Sequence, residues 1–401
     1  MASVRKRKWT TGGKEREAWL VDYVDQGGTR HIRTFRTKKE ADAYRTEAGF
    51  EVSRGIHTHP SASITIGQAG ELWIKQAKTD GLERGTIEDY RHHLERHIKP
   101  HLGSVKLSSL TVGRVEAFRN TLIDNGLSAA LTRKIIGSLK TIVATTQALK
   151  TITQNIIQER DRRRERGQAR HKRRLEVGRD IPSKEELRAI LAGAATYTRG
   201  HPESGYWRAL LTTAVFTGLR ASELRGLRWA DVDLKGGEIH VTQRADKWRK
   251  IGPPKSHAGK RSVPLAPVVV NTLREWKLAC PKGDAGLVFP NGLGKVELLS
   301  NIYRRGLAPI QVAKGLTVET GRKDVDGKPI LRAKYGIHTL RHAAASLFIE
   351  QGFMPKRLQA ILGHSSIQLT FDCYGHLFPS PEADKEAMAL LQARLLPPSA
   401  T

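Results

Sequence analysis

The sequence predicts a chain of several domains that is mainly α-helical and carries small β-sheets. Its 401 residues are enough for two or three domains of ordinary size. A short N-terminal stretch alternates apolar and polar residues with the period of a β-strand, whereas most of the remainder repeats apolar residues at helical spacing. We therefore expect a small module of three strands and one helix, then an all-α domain, and then a larger α+β domain.

Residues 1–57 are expected to form the small N-terminal module. Its three segments with strand-like alternation are 5–9, 19–24 and 30–35. Gly27 and Gly28 suit a hairpin turn, and Thr37 followed by Glu40 is a capping-box pattern at a helix start. The strands carry many lysines and arginines, and a three-stranded sheet can enter a major groove. DNA binding is therefore one interpretation, and an accessory domain with a solvated basic face is the other.

Residues 64–158 are expected to form the all-α domain. Apolar residues recur at helical spacing in four stretches, near 66–77, 90–98, 112–123 and 129–149. The next segment, 159–181, is a basic linker, and its part 159–174 is a dense run of charges with no apolar stripe. It is either a solvated linker or a basic tether that contacts phosphates, and both interpretations stay open.

Residues 182–401 are expected to form the α+β domain, with Ser183 at the start of its first helix. Two strands are predicted among its helices, at 238–243 and 260–265. The stretch 298–334 holds Gly321, Asp324, Asp326 and Gly327 and is predicted to be a surface hairpin whose role is open. Residues 383–396 predict a last amphipathic helix with apolar positions at Met388, Leu390, Leu391 and Leu395. Its ordinary role would be to pack on its own core.

The charge of the chain points to a polyanionic partner. Lys and Arg number 68 against 40 Asp and Glu, a formal net charge of +28. Nucleic acid is the first candidate, because neutralising phosphates releases counterions; an anionic membrane surface is the second. We find no apolar run of about 20 residues and no secretory signal, and the two cysteines lack metal-ligand or disulfide spacing. We therefore expect a cytoplasmic protein without a membrane anchor.

Four short stretches of the α+β domain hold the candidate site residues. They are 217–224 with Arg220, 254–265 with Lys255, 338–342 with His338 and Arg341, and 362–376 with His364 and Tyr374. Taken singly, each residue has an ordinary explanation: a surface arginine, a turn lysine, a histidine at a helix cap or a tyrosine that packs. Lys260 and Arg261 compete with Lys255 for any role given to it.

Taken together, these residue types suit phosphoryl transfer at a diester. That reaction needs a nucleophile, cations on the non-bridging oxygens and an acid for the leaving oxygen. Two guanidinium groups match phosphate oxygens and stay charged, and a lysine can protonate a departing hydroxyl. A histidine handles the proton of the attacking phenol, and a tyrosine is a competent nucleophile once that proton is gone.

In its order along the chain, the set resembles the six-residue active site of the tyrosine recombinases and phage integrases. The matching residues are Arg220, Lys255, His338, Arg341, His364 and Tyr374, with flanking sequence at 217–224, 338–342 and 362–366. The resemblance covers about 182–390. It implies a tyrosine recombinase catalytic domain there, a helical core-binding (SAM-like) domain at 64–158 and an arm-type DNA-binding module at 1–57.

The resemblance implies a role for each residue. Tyr374 would attack the scissile phosphate and form a 3′-phosphotyrosine bond, which the 5′-hydroxyl of a partner strand reverses without a cofactor or metal. Arg220 and Arg341 would stabilise the phosphorane, and Lys255 would be the general acid. The other roles are a base or hydrogen-bond donor near the nucleophile for His338, a phosphate hydrogen bond for His364, and structural support for Glu223 and His342.

The resemblance also implies partners. It predicts a homotetramer on core-type and arm-type sites of duplex DNA, a Holliday junction intermediate, an exchange helix after Tyr374 and an accessory bending or excision factor. The function expected is integration, with excision, of a mobile element. A type IB topoisomerase, a Xer-like resolvase and a non-catalytic regulator derived from a recombinase are the alternatives.

Overall fold

The computed structural model describes residues 2–12, 14–25, 27–53, 63–148, 174–378 and 381–395. The chain divides into two compact units, Met1–Arg170 and His171–Thr401, and each is described by itself. Of the predicted basic segment 159–181, the part up to residue 173 lies outside the described residues. Within the described ranges, every helix is too short or too polar to cross a membrane.

The N-terminal module is a three-stranded antiparallel sheet covered by one helix. Its elements are β1 (Ser3–Thr11), β2 (Lys14–Val24), β3 (Arg30–Phe35) and α1 (Lys38–Ser53), with β2 in the middle of the sheet. The helix begins where predicted, since Thr37 and Glu40 each donate a backbone N–H to the other's side chain. Val21, Tyr23 and Ala41 form the buried centre of the module.

The all-α part of the first unit has its own apolar core. Its helices are α2 (Ile66–Thr79), α3 (Arg84–His93), α4 (Lys99–Leu102), α5 (Val112–Asp124) and α6 (Ala129–Ala148), with a π-helical turn at Leu94–Ile98 and a 3₁₀ turn at Leu107–Ser109. Thr65 and Gln68 form a capping box that starts α2. Trp73 of α2 stacks on Tyr90 of α3 at 4.1 Å between ring centroids, and Leu94 and Ile98 are fully buried. Apolar contact between the helix faces therefore holds this domain together.

The second unit is an α+β domain built around one buried helix. The helices before the sheet are α7 (Lys184–Thr196), α8 (Tyr206–Thr217) and α9 (Ala221–Gly226). The later ones are α10 (Pro267–Ala279), α11 (Leu299–Asn301), α12 (Ala308–Ala313), α13 (Ile337–Glu350), α14 (Pro355–Leu362), α15 (Ile367–Tyr374) and α16 (Pro381–Leu395). Ser183 caps α7 in a capping box with Glu186, as predicted. Helix α8 packs against α7, α10 and α13 and is the centre of the core.

The strands of this unit form one sheet and two hairpins. The antiparallel sheet has the order β4 (Val232–Asp233), β5 (Glu238–Val241), β8 (Arg261–Pro264). One hairpin joins β6 (Arg244–Ala245) to β7 (Ile251–Gly252), and the other joins β9 (Thr317–Lys323) to β10 (Pro329–Ala333). Both predicted strands, 238–243 and 260–265, are therefore present in slightly shorter form.

The stretch 298–334 is only in part the surface hairpin that the sequence predicts. Its first half is helical and continues from α11 through a π-helical segment, Ile302–Leu307, into α12. Ile302, Leu307 and Ile310 are buried in the main core. The glycines and aspartates favoured a turn, but the apolar residues before them pack inward, so only β9 and β10 form the hairpin.

Helix α16 begins two residues before the predicted start at 383, and the predicted end at 396 lies outside the described residues. Its predicted apolar positions are exposed in the single chain: Met388, Leu390, Leu391 and Leu395.

Candidate active site

Arg220 is held at the start of α9. Helix α8 ends at Gly218 in the left-handed conformation (φ 63°), and Arg220 is the residue before the first turn of α9. Its backbone N–H donates to Glu223 Oε2 and its Nη1 to Glu223 Oε1, both at 2.8 Å. The Arg220 side chain is 32% exposed, so its position is fixed while part of the guanidinium faces solvent.

Glu223 is a buried carboxylate shared by two arginines. Arg261 donates to it from Nη1 at 3.0 Å and from Nη2 at 2.8 Å, while Arg220 binds from the other side. Burial alone would raise the pKa of Glu223, but the hydrogen bonds and charge of Arg261, together with the charge of Arg220, hold the pKa below its usual value. Glu223 therefore stays ionised and holds Arg220 in place.

Arg341 lies deeper, on α13. It is 3% exposed and donates from Nη1 to the carbonyl oxygen of Gly218 at 2.8 Å and from Nη2 to that of Leu362 at 2.6 Å. Burial and the nearby charge of Arg220 lower the pKa of Arg341 to about 10. Arg341 is therefore still a cation at neutral pH, and it lies close to Arg220.

Three guanidinium groups satisfy three consecutive carbonyl oxygens at the end of α14. Arg261 Nε donates to Ile361 at 2.5 Å, Arg341 to Leu362 at 2.6 Å and Arg220 to Gly363 at 2.8 Å; these acceptors are the orphan groups of a helix C-terminus. These bonds hold the end of α14, and the His364 that follows it, against Arg220 and Arg341, the two arginines expected to bind the phosphate.

Gly363 allows the loop that carries Lys255 to pack closely against the end of α14. It adopts φ 65°, and a Cβ there would lie 2.9 Å from the carbonyl oxygen of Ala258. Ala258 belongs to a 3₁₀ turn, His257–Gly259, that follows Lys255 in the loop between β7 and β8. Lys255 is exposed. The structure therefore packs the loop against the site and leaves the lysine side chain at its surface.

Tyr374 is the last residue of α15 and its phenol points into the protein. Only 1% of the residue is exposed, and its hydroxyl lies 2.8 Å from Nδ1 of His342. The ring lies nearly parallel to that of His364, with 9° between the planes and 6.3 Å between centroids. Burial raises the pKa of Tyr374, and the nearby charges of Arg341 and Arg220 partly offset this. The phenol therefore lies in the field of both arginines.

Three histidines surround this phenol in different ways. His364 is buried and its Nδ1 lies 2.9 Å from the hydroxyl of Thr370. His338 is exposed at the edge of the site and meets the His342 ring edge-on, at 4.8 Å. Burial, followed by neighbouring cationic groups, lowers the pKa of His342 and of His364 to about 4 each. Both imidazoles are therefore neutral at physiological pH and able to accept a proton.

The contact between His342 and Tyr374 was not predicted from the sequence. The motif indicated a structural role for His342 and placed His338 beside the nucleophile. The spacing alone could have indicated this contact. His338 and His342 are four residues apart on one helix, so both face the same side.

The assembled groups are of the kinds that phosphoryl transfer by a protein nucleophile requires. A buried phenol, two guanidinium groups and neutral imidazoles converge, and the loop of Lys255 lies alongside. Among the described residues, no group of three or more His, Cys, Asp or Glu side chains could hold a metal ion.

Comparison with known proteins matches two regions of the chain, the all-α domain and the α+β domain, to known families. Residues 183–380 match the phage integrase family, and residues 65–123 match the N-terminal SAM-like domain of phage integrases. A XerC-like tyrosine recombinase of Caldanaerobacter subterraneus subsp. tengcongensis is 24% identical over 95% of this chain and 97% of its own length. An integrase of Streptomyces ambofaciens is 24% identical over 90% of each chain.

Solved structures show the same fold. The Tn1549 transposon integrase, in complex with a circular intermediate DNA, aligns with a TM-score of 0.62 and 18% identity, over 82% of this chain and all of that one. Lambda integrase, in a tetramer bound to a Holliday junction, aligns with a TM-score of 0.54 and 20% identity, over 86% and 93% of the two chains. With the two domains in this order along its sequence, the chain belongs to the phage integrase family and is a tyrosine-type site-specific recombinase.

Proposed function

We propose that this recombinase cleaves and rejoins duplex DNA at specific sites with Tyr374 as its nucleophile. The observation that supports this most directly is the position of the Tyr374 phenol, buried against His342 and His364 and within the charge field of Arg341 and Arg220. The phenol oxygen would attack the scissile phosphorus, and the 5′-oxygen would leave. The resulting 3′-phosphotyrosine bond conserves the energy of the diester, so rejoining needs no cofactor.

The arginines would stabilise the negative charge that develops on the phosphate. The Arg220 side chain is partly exposed to solvent, and Arg341 is buried. Preorganised donors of this kind act strongly because they do not have to reorient during the reaction. His338, exposed at the edge, would act as hydrogen-bond donor or base, and His364 would hydrogen-bond the phosphate.

Lys255 would protonate the departing 5′-oxygen. It is exposed on a loop that packs against Gly363 through Ala258, so the loop is anchored while the lysine can meet a bound DNA strand. A lysine becomes a better proton donor when DNA partly desolvates it.

The N-terminal module and the helical domain would hold the DNA. The sheet of the module pairs Arg5 and Arg30 with Asp22 and stacks Arg33 against Tyr44, so its cations are held in place on strands. We propose that the module, residues 1–57, binds arm-type sites and that the helical domain, 64–158, binds the core site. The net charge of +28 supports binding to phosphates.

We also propose that the active form is a homotetramer on two DNA sites that passes through a Holliday junction. Lambda integrase is a tetramer on such a junction in its solved structure. The exposed apolar residues of α16, Met388, Leu390, Leu391 and Leu395, would then dock on a neighbouring protomer. Integration of a mobile element in the bacterial cytosol, with excision helped by an accessory factor, is the corresponding cellular role.

A suicide DNA substrate tests the proposal. Such a duplex carries a nick that lets the cleaved fragment diffuse away, so that a covalent protein–DNA adduct accumulates. We expect the wild-type chain to form an adduct that resists denaturation and the Tyr374→Phe variant to bind the DNA without forming it. Specific binding with no adduct from either protein would contradict the proposal and favour a non-catalytic regulator.

A further inference from the structure

The hydrogen bond between His342 and Tyr374 joins the reacting oxygen to a proton acceptor. Nδ1 of His342 lies 2.8 Å from the phenolic oxygen, a normal length for a strong hydrogen bond. When its own proton is on Nε2, the imidazole presents an unprotonated Nδ1 to the phenol. The phenol then donates to His342 along the line on which its proton would leave.

We propose that His342 is the catalytic base that takes the proton of Tyr374 during cleavage and returns it during rejoining. This inference rests on the proposed function above, because it names the proton acceptor for that same nucleophile. It also changes the role expected for His338, which becomes a hydrogen-bond donor to the phosphate at the open edge of the site.

The proton balance of the step is complete. As the phenol oxygen bonds to phosphorus, its proton passes to Nδ1 and His342 becomes an imidazolium. The bond from phosphorus to the 5′-oxygen breaks, and that oxygen takes a proton from Lys255. In rejoining, the 5′-hydroxyl gives its proton to the Lys255 amine and attacks the phosphotyrosine, while the departing phenolate recovers its proton from His342.

The surroundings of His342 keep its imidazole neutral before the reaction. His338 and Arg341 lie beside it on α13, and the Tyr374 ring faces it from α15 at 5.7 Å between centroids. Burial, followed by the nearby charges of His338 and Arg341, lowers the pKa of His342 to about 4, so Nδ1 can face the phenol without a proton. Burial raises the pKa of Tyr374, so the phenol is protonated at neutral pH and must lose its proton as it attacks.

The other two histidines are placed for different work. Nδ1 of His364 is bound to Thr370 Oγ1 at 2.9 Å, and its ring lies nearly parallel to the Tyr374 ring, with 6.3 Å between centroids. The His338 ring contacts the His342 ring edge-on and is exposed to solvent. Of the three imidazoles, His342 is the one whose nitrogen lies within hydrogen-bond distance of the Tyr374 oxygen.

The test separates proton transfer from positioning by two substitutions. In His342→Asn the side-chain amide can occupy the place of Nδ1 and keep a hydrogen bond to the phenol, but it cannot take the proton. His342→Phe keeps the ring and removes both nitrogens. Because positioned bases contribute about 10²- to 10⁴-fold to a rate, we expect both variants to form adduct on a suicide substrate at least about a hundredfold more slowly.

A more acidic nucleophile should then restore the rate. With 3,5-difluorotyrosine incorporated at position 374, the phenol loses its proton more readily, so His342→Asn should recover at least about tenfold in single-turnover cleavage. The matched control is Arg220→Ala with the same fluorinated residue, which should not recover, because its defect lies in stabilising the phosphate. Near-wild-type cleavage by His342→Asn, or equal recovery in both backgrounds, would overturn the proposal.

Failure of this inference can be told apart from failure of the proposed function. If the wild-type chain forms no adduct, the proposed function fails. If the wild-type chain forms the adduct and His342→Asn forms it equally fast, only the role of His342 fails. Should His342→Phe fold poorly in a thermal melt, the fluorinated His342→Asn protein still decides the question.

Discussion

Arg341 donates a hydrogen bond of 2.6 Å from its Nη2 to the carbonyl oxygen of Leu362. Leu362 is the last residue of α14, so this bond fastens the end of that helix to the guanidinium that we propose as a phosphate clamp. Nη1 of Arg341 donates to the carbonyl oxygen of Gly218 at the end of α8. One buried cation therefore joins two helix ends and presents its charge to the site.

We expect Arg220→Ala and Arg341→Ala each to slow cleavage by about 10²- to 10³-fold, because each removes a cation that stabilises the reacting phosphate. DNA binding should be mostly kept, because each arginine would be one phosphate contact among many. They should differ in stability. Arg341→Ala strands two buried carbonyl oxygens and should cost about 1–3 kcal/mol for each, whereas Arg220 is partly exposed.

Single-turnover cleavage and thermal melts of both variants check this prediction. A variant that cleaves at a near-wild-type rate would show that its arginine is misassigned. Equal melting temperatures for the two variants would contradict the structural role given to Arg341.

Gly363→Ala should damage both the fold and the activity. Gly363 adopts φ 65°, where a side chain is strained, and the added Cβ would lie 2.9 Å from the carbonyl oxygen of Ala258. We expect a loss of at least about 1 kcal/mol in the free energy of unfolding. Cleavage should fall as well, because the Lys255 loop would be pushed away.

Gly137→Ala is the matched control. Gly137 lies inside α6, and a Cβ added there would meet no atom within 4 Å, so alanine should stabilise the helix by about 0.5–1 kcal/mol. Urea unfolding of the two variants gives the comparison. A harmless Gly363→Ala would contradict the packing described for the end of α14.

The stability of the catalytic domain should fall as the pH drops from about 6.5 towards 4. The pKa values of His342 and His364 are lowered to about 4 in the folded chain, while an unfolded histidine titrates near 6.5. Below that value the unfolded chain binds protons that the folded chain refuses, so acid favours unfolding. Melting temperatures between pH 7.5 and 4.5 should show this slope, and a His342→Asn, His364→Asn double variant should show a shallower one.

Removing residues 1–57 should weaken recombination between two sites more than cleavage of a single core site. The module has its own buried centre of Val21, Tyr23 and Ala41, and we propose that it binds separate arm-type sites. Assays of both reactions with the truncated chain supply the measurement. Undiminished recombination would remove the arm-binding role.

Local sequence patterns predicted the elements that local interactions determine. The capping boxes of Thr37 and Ser183 start helices where predicted, and Arg220 lies at the start of α9. The family resemblance singled out Tyr374 among the eight tyrosines of the chain. Neither kind of signal reports how distant segments meet in space.

What the sequence could not predict depends on contacts between distant elements. His342 and Tyr374 are 32 residues apart, and their contact follows from the packing of α13, α14 and α15. The three arginines on consecutive carbonyl oxygens likewise come from three separate segments. The helical half of 298–334 depends on the burial of Ile302, Leu307 and Ile310 in the main core, a contact with distant elements that local turn residues do not indicate.

The covalent link itself gives the most direct test of the central claim. After trapping on a suicide substrate, nuclease and protease digestion followed by mass spectrometry locates the residue that carries the nucleotide. We predict a 3′-linked nucleotide on the peptide that contains Tyr374, bound to the phenolic oxygen. A nucleotide on another residue, with Tyr374 unmodified in the trapped protein, would contradict the account.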